Sequence, residues 1–235
     1  MQTDLNSFET DMLRAVWSWR FLVGLAAEFL ILIISKMNTD LYYISVPIVC
    51  TLPYTTAVLD DLQSGYIKSY LPRTSRTAYI YGKACSCMIS GGLMEVLPVL
   101  LYAGWKRADA EGMLYLLWGG SRLDMNYPGD GGTLTVYYGL LFLSGALWAI
   151  LSATLSTWTK SRYIAYGSSF VIYYLLVILQ QRYFPDSYMM NPMEWFRYQY
   201  TWVFGQWGIV LMLTGIGGIL CYFYVQIVRM WMDRI

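Results

Sequence analysis

Six stretches of this chain are apolar over enough residues to cross a lipid bilayer or come close to it, and that pattern limits the fold more than any motif does. A spanning helix needs about 20 mainly apolar residues. The windows run roughly from Trp19 to Ser35, Tyr42 to Leu59, Ala78 to Gly104, Leu134 to Trp158, Tyr163 to Leu179 and Trp207 to Met230. No charged linker, low-complexity run or internal repeat divides them. The reading is an all-α integral membrane protein with six transmembrane helices in one domain, residues 1–235. The opening segment MQTDLNSFETDMLRAVWSWR carries both charge signs and no small-residue cleavage site, unlike a signal peptide.

Composition agrees with lipid as the main solvent: 57% of residues are hydrophobic and only 13% charged, where soluble domains carry about 25%. The 16 Lys and Arg nearly cancel the 15 Asp and Glu, so no overall basic field attracts nucleic acid. Histidine is absent, which excludes imidazole metal sites, Ser-His and Cys-His nucleophile pairs and a His base. Paired aspartates or a nucleophile with its base within the spans, as a membrane protease needs, are not found either. The four cysteines, Cys50, Cys85, Cys87 and Cys221, fall in apolar segments and read as reduced, buried thiols.

Lys and Arg in short loops set orientation. With the amino terminus inside, ten of them (Arg14, Arg20, Lys68, Arg73, Arg76, Lys83, Lys160, Arg162, Arg229 and Arg234) lie on the cytoplasmic side and six outside. Both termini are therefore expected in the cytoplasm. Tyr and Trp at the window ends fit interfacial belts. Two outer loops, Trp105 to Thr133 and Gln180 to Gln206, are too long for plain connections. The second is rich in aromatics and is expected to form short helices lying at or dipping into the outer leaflet.

Between the second and third windows the chain becomes charged: DDLQSGYIKSYLPRTSRTAYIYGK, Asp60 to Lys83. Leu59, Leu62, Tyr66 and Tyr70 recur at helical spacing and Ile67 and Leu71 widen the stripe, which predicts an amphipathic helix of about three turns. Pro72 ends it, and Thr74, Ser75 or Thr77 can cap the helix that follows. As a helix resting on lipid, the segment would offer Lys68, Arg73, Arg76 and Lys83 to anionic headgroups.

The same residues resemble a motif of the permease subunits of type-2 ATP-binding-cassette (ABC) exporters. The match consists of an acidic residue, Asp60 or Asp61, then Gly65, Leu71, Pro72, Ser75, Arg76, Tyr79, Gly82 and Lys83. The resemblance implies that Asp61 to Leu71 forms a cytoplasmic coupling helix seated on a separate ATPase subunit. Asp61, Gly65, Tyr66, Lys68, Leu71, Pro72, Arg73 and Arg76 would be the coupling residues. It also implies an amino-terminal interfacial helix, about Phe8 to Trp19, whose Phe8, Met12, Ala15, Val16 and Trp19 share one face. The chain has no Gly-x-x-x-x-Gly-Lys-Ser/Thr phosphate loop. ATP would thus be bound and hydrolysed by the partner, this chain being no enzyme and holding no cofactor. Two permeases, identical or related, would form the substrate path in a cell membrane such as the bacterial plasma membrane.

Glu28 and Glu95 are the carboxylates well inside apolar windows, where facing lipid costs about 2.5 to 3.5 kcal/mol. Each is expected to face protein or water. Glu28 reads either as part of the transport path or as a helix-stitching carboxyl, and Glu95 as a stitch near Pro98. Gly145, Ala149, Ala153 and Thr157 form a small-residue ridge suited to close helix packing. Two other functions fit the same sequence: a proton-coupled carrier using Glu28 or Glu95, and an immunity or sensor protein binding a peptide in its outer loops.

Overall fold

The computed structural model describes residues 2–34, 39–67, 75–105, 131–195 and 205–233. Eight α-helices and two short 3-10 turns, with no strand, occur among them: α1 Gln2–Val16, α2 Trp19–Ile34, α3 Thr39–Val49, α4 Ala57–Gln63, α5 Arg76–Trp105, α6 Gly131–Thr159, α7 Arg162–Tyr183 and α8 Gly205–Met232. Windows three to six become α5 to α8, each long and apolar enough to cross a membrane. A fifth candidate arises if α1 and α2, bent by 44° at Trp17 and Ser18, count as one broken span. These helices are consistent with a membrane protein.

The count by length alone is below six because the second window is not one helix. α3 ends at Val49, residues 50–56 run as turns, and α4 adds only 7 residues. Pro53 lies in that break and has no backbone donor to continue a helix. The break is nonetheless enclosed by protein, with Cys50, Thr51, Pro53, Tyr54, Thr55 and Thr56 all buried. Thr51 Oγ1 donates to Ile48 O (2.7 Å) and Thr55 Oγ1 to Thr51 O (2.6 Å). Irregular backbone at membrane depth is tolerated where protein covers and satisfies it in this way.

α6 lies at the centre and α5 beside it. The most apolar part of α6 is 72% buried, against 22% for α7 and 28% for α8, so the latter two keep broad apolar faces outward. α5 and α6 approach at Gly91, Gly92, Gly145 and Ala149, where the small-residue ridge of α6 meets the glycines of α5. α6 joins α7 through Ser152 Oγ, which donates to Ala165 O, and Ser169 Oγ, which donates to Trp148 O (3.0 Å).

After α7 the chain folds into two 3-10 turns, Tyr188–Met190 and Pro192–Trp195. Trp195 enters the bundle and stacks on Trp148 of α6, ring centroids 5.6 Å apart, while its Nε1 donates to Met189 O (2.9 Å). Through Trp195 this segment packs onto the bundle; residues 196–204, and residues 106–130 of the long connection between α5 and α6, lie outside the described residues. All four cysteines are free, and Cys50 and Cys87 are buried as expected. Cys85, exposed on α5, and Cys221, only half-buried on α8, differ from that expectation.

Two local expectations meet the structure just before α5. Ser75 is the cap: its Oγ accepts from the Ala78 amide (3.2 Å). Ser75→Ala should cost about 1 kcal/mol of stability, read as a lower midpoint in a detergent unfolding titration. The predicted three-turn helix starting near Leu59, in contrast, breaks at Gly65. α4 stops at Gln63 and Gly65 takes φ +71°, a left-handed conformation that suits glycine and ends a helix. Residues 66 and 67 are helical again, and Lys68 to Thr74 lie outside the described residues.

Candidate functional site

Tyr79 and Lys83 are four residues apart on α5 and so project from one face. That face meets three other parts of the chain: Asp11 of α1, Tyr54 in the break after α3, and Asp61 of α4. Lys83 Nζ lies 2.9 Å from Asp11 Oδ1, 2.9 Å from Asp61 Oδ2 and 2.8 Å from the Tyr54 hydroxyl. An ammonium has three donors, and here each faces one acceptor. The hydroxyls complete the network: Tyr54 donates to Asp11 Oδ1 (2.7 Å) and Tyr79 to Asp61 Oδ2 (2.8 Å). Both rings also present their faces to the ammonium, at 5.1 and 5.5 Å from their centroids.

The Lys83 side chain is only 3% exposed, Asp11 6% and Asp61 15%. Desolvated charges attract more strongly than surface pairs, and each is costly if left alone. One cation therefore ties α1, the α3–α4 break and α4 to the first turns of α5.

A second cluster surrounds the neighbouring Asp60. Arg162, at the start of α7, reaches Oδ1 at 2.8 Å, and Arg20 of α2 reaches Oδ2 at 3.6 Å. Thr56 Oγ1 donates to Asp60 Oδ2 (3.0 Å) and accepts from Arg20 (2.8 Å). The two adjacent aspartates thus divide the work: Asp61 points into the Lys83 network, Asp60 toward arginines. Between the clusters, at the elbow of α1 and α2, opens a cavity of about 340 Å³ lined in part by Arg14, Trp19, Arg20, Tyr54, Asp60 and Lys83.

Farther along the bundle Glu28 of α2 and Glu95 of α5 are both fully buried. They are reached from one turn of α3: Ser45 Oγ donates to Glu28 Oε1 (2.9 Å), and the Tyr42 hydroxyl to Glu95 Oε2 (3.4 Å). Among the described residues, Glu28 Oε2 and Glu95 Oε1 have no hydrogen-bond partner. Both carboxyls face protein, as their position in apolar windows requires.

No family model, characterised protein or solved structure matches this chain. Its chemistry is accordingly read from its own residues.

Of the residues expected to take part in coupling, Asp61 enters the buried network. Gly65 provides the turn, and Tyr66 lies under the Arg14 guanidinium, 5.5 Å from the ring centroid. Arg76 stands apart on the surface, 3.4 Å from Asp233 after α8. Lys68, Leu71, Pro72 and Arg73 lie outside the described residues. Lys83, read from sequence as one of the cations available to lipid headgroups, is instead enclosed by Asp11 and Asp61.

Asp11 and Tyr54 were not legible as partners. Asp11 falls on the face of α1 that packs against α5, and Trp19, assigned to the apolar stripe of that segment, begins α2 beyond the bend and is exposed. The one available signal was Asp11, Ala15 and Met12 clustering at helical spacing, an acidic residue on an otherwise apolar face.

Proposed function

We infer that this chain is the transmembrane permease subunit of an ATP-driven exporter of the type-2 ABC class, coupled to a separate ATPase subunit and working with a second permease. Six crossings are part of the reading, with α2 and the broken α3–α4 stretch as the two short ones, both termini in the cytoplasm and the chain in a cell membrane. ATP is bound and hydrolysed on the partner, and the coupling surface runs from Asp61 through Arg76.

The observation that carries it is the linkage from Asp61 to Lys83. Asp61, in the segment that resembles the coupling motif, is joined through one buried ammonium to α5 and to α1. A push on α4 therefore has a stiff path to a long helix at the core of the bundle, since the charges can separate only at high cost. Glu28, enclosed and held by Ser45, serves here as a stitch between α2 and α3. One observation favours a second reading, the proton-coupled carrier: Glu28 and Glu95 each keep a buried oxygen with no hydrogen-bond partner among the described residues.

The test is to solubilise the chain from its native membrane in mild detergent, pull it down and assay the eluate for ATPase activity. An ATPase subunit should accompany the wild type and be lost from a Gly65→Trp, Tyr66→Ala variant that elutes at the same size. A chain that emerges alone and without ATPase activity would overturn the exporter reading and move the carrier to the front.

A further inference from the structure

The cavity at the elbow of α1 and α2 has a positive charge excess among the described residues. Three cations line it, Arg14, Arg20 and Lys83, against two carboxylates, Asp60 and Asp61, while outside the lining Asp11 pairs with Lys83 and Arg162 with Asp60. Lys83 is held between two aspartates, and Arg20 and Arg162 share Asp60. Arg14 makes no ion pair among the described residues; its guanidinium lies over the Tyr66 ring. The two guanidinium groups that line the cavity, Arg14 and Arg20, therefore face it with one positive charge in excess.

The cavity wall then continues into an apolar stripe. Trp19 lines the cavity and is 77% exposed; from it Leu22, Val23, Leu30 and Ile34 follow along the exposed side of α2. Trp17, Trp158 and Tyr163 are exposed at the same end of the bundle, where Arg162 meets Asp60, and aromatic side chains of this kind sit at headgroup depth. A volume of about 340 Å³ is within the range of small-ligand sites, about 300 to 1,000 Å³.

We propose that this elbow cavity binds the phosphate of an anionic phospholipid, with Arg14 and Arg20 as the phosphate ligands and the exposed face of α2 as the bed for the acyl chains. Arginine suits the role, because its planar fork pairs two donors with phosphate oxygens. The continuity of cavity and stripe favours a lipid over a free phosphate, which would use only the polar half. The site needs the membrane reading and is independent of whether an ATPase accompanies the chain.

Native mass spectrometry of the detergent-solubilised full chain tests it, with dioctanoyl phosphatidylglycerol, dioctanoyl phosphatidylcholine and inorganic phosphate as probes. Phosphatidylglycerol should bind saturably and more tightly than phosphatidylcholine. At about 1 kcal/mol for each interfacial charge, an Arg14→Gln, Arg20→Gln variant should bind it roughly thirtyfold more weakly. Arg14→Lys, Arg20→Lys should retain most of the binding, and Arg182→Gln, at the far end of α7, should be unaffected. Unchanged ellipticity and elution volume keep misfolding out of the comparison. Equal binding of the two lipids, an unaltered affinity in the double variant, or displacement of the lipid by equimolar inorganic phosphate would each overturn the proposal. So would loss of an accompanying protein from the double variant with its lipid affinity intact, since the arginines would then serve a protein contact.

Discussion

Lys83→Met is expected to destabilise the fold by about 3 to 5 kcal/mol, the cost of breaking a buried ion pair by removing one partner. The methionine fills a similar volume, so packing is largely kept; what is lost is the cation between Asp11 and Asp61. Each carboxylate would retain one hydroxyl donor, Tyr54 for Asp11 and Tyr79 for Asp61, which leaves two enclosed negative charges facing each other. Asp11 Oδ2 already has no hydrogen-bond partner among the described residues, so none of these offers a spare contact to absorb the change. Adding Asp11→Asn and Asp61→Asn removes the stranded charges, and the triple variant should recover most of the stability. Thermal unfolding in detergent, followed by ellipticity, measures both. A single variant within about 1 kcal/mol of wild type would mean that the ammonium does not hold the four segments together. Lys83→Arg should fail to substitute, because a planar fork cannot meet three acceptors spread around a point charge.

That network also marks where sequence reading stops. The charged segment Asp60 to Lys83 stood out, and so did a cap before α5, with Ser75 among its three candidates, because each depends on local chemistry. The partner of Lys83 did not, because Asp11 is 72 positions away and Tyr54 is 29. Nothing in periodicity distinguishes a lysine that meets lipid from one enclosed by aspartates; the difference arises from how α1 docks on α5. The amphipathic pattern from Leu59 to Leu71 misled for a related reason. Its spacing was helical, yet one glycine able to take a positive φ stopped α4 after Gln63.

The spans were legible in proportion to their continuity. Windows three to six are unbroken and become α5 to α8 with ends within a few residues of the apolar limits. The second window contains Pro47 and Pro53, and hydropathy alone did not reveal that the chain turns between Val49 and Ala57. Threonine hydroxyls there replace the helix as hydrogen-bond donors, a solution that only packing makes acceptable in a bilayer. The aromatic segment after α7 was expected as short helices at or dipping into the outer leaflet; the structure has two short 3-10 turns there, and Trp195 stacks on Trp148, a contact set by tertiary fit.

The seam between α5 and α6 gives the second large effect. The ridge of Gly145, Ala149, Ala153 and Thr157 was visible from spacing, and the structure supplies what it packs against. A Cβ on Gly145 would sit 2.5 Å from Gly91 O and 2.6 Å from Glu95 Cγ; one on Gly91 would sit 2.4 Å from the Ala149 Cβ. Backbone oxygen cannot swing aside as a side-chain tip can, so the two helices must separate. Gly145→Ala is therefore expected to lose about 2 to 3 kcal/mol, the upper part of the overpacking range, despite alanine's better helix propensity. Gly139 is the control, because it lies on the same helix with nothing within 4 Å of its would-be Cβ. Gly139→Ala should be neutral or gain up to about 1 kcal/mol. Opposite signs for one added methyl group, read from unfolding midpoints in mixed micelles, isolate the seam from helix propensity. Equal effects at both positions would mean that α5 and α6 do not meet at Gly91. The same seam fixes Glu95, whose Cγ touches the Gly145 position, so the buried carboxyl and the closest helix contact rise or fall together.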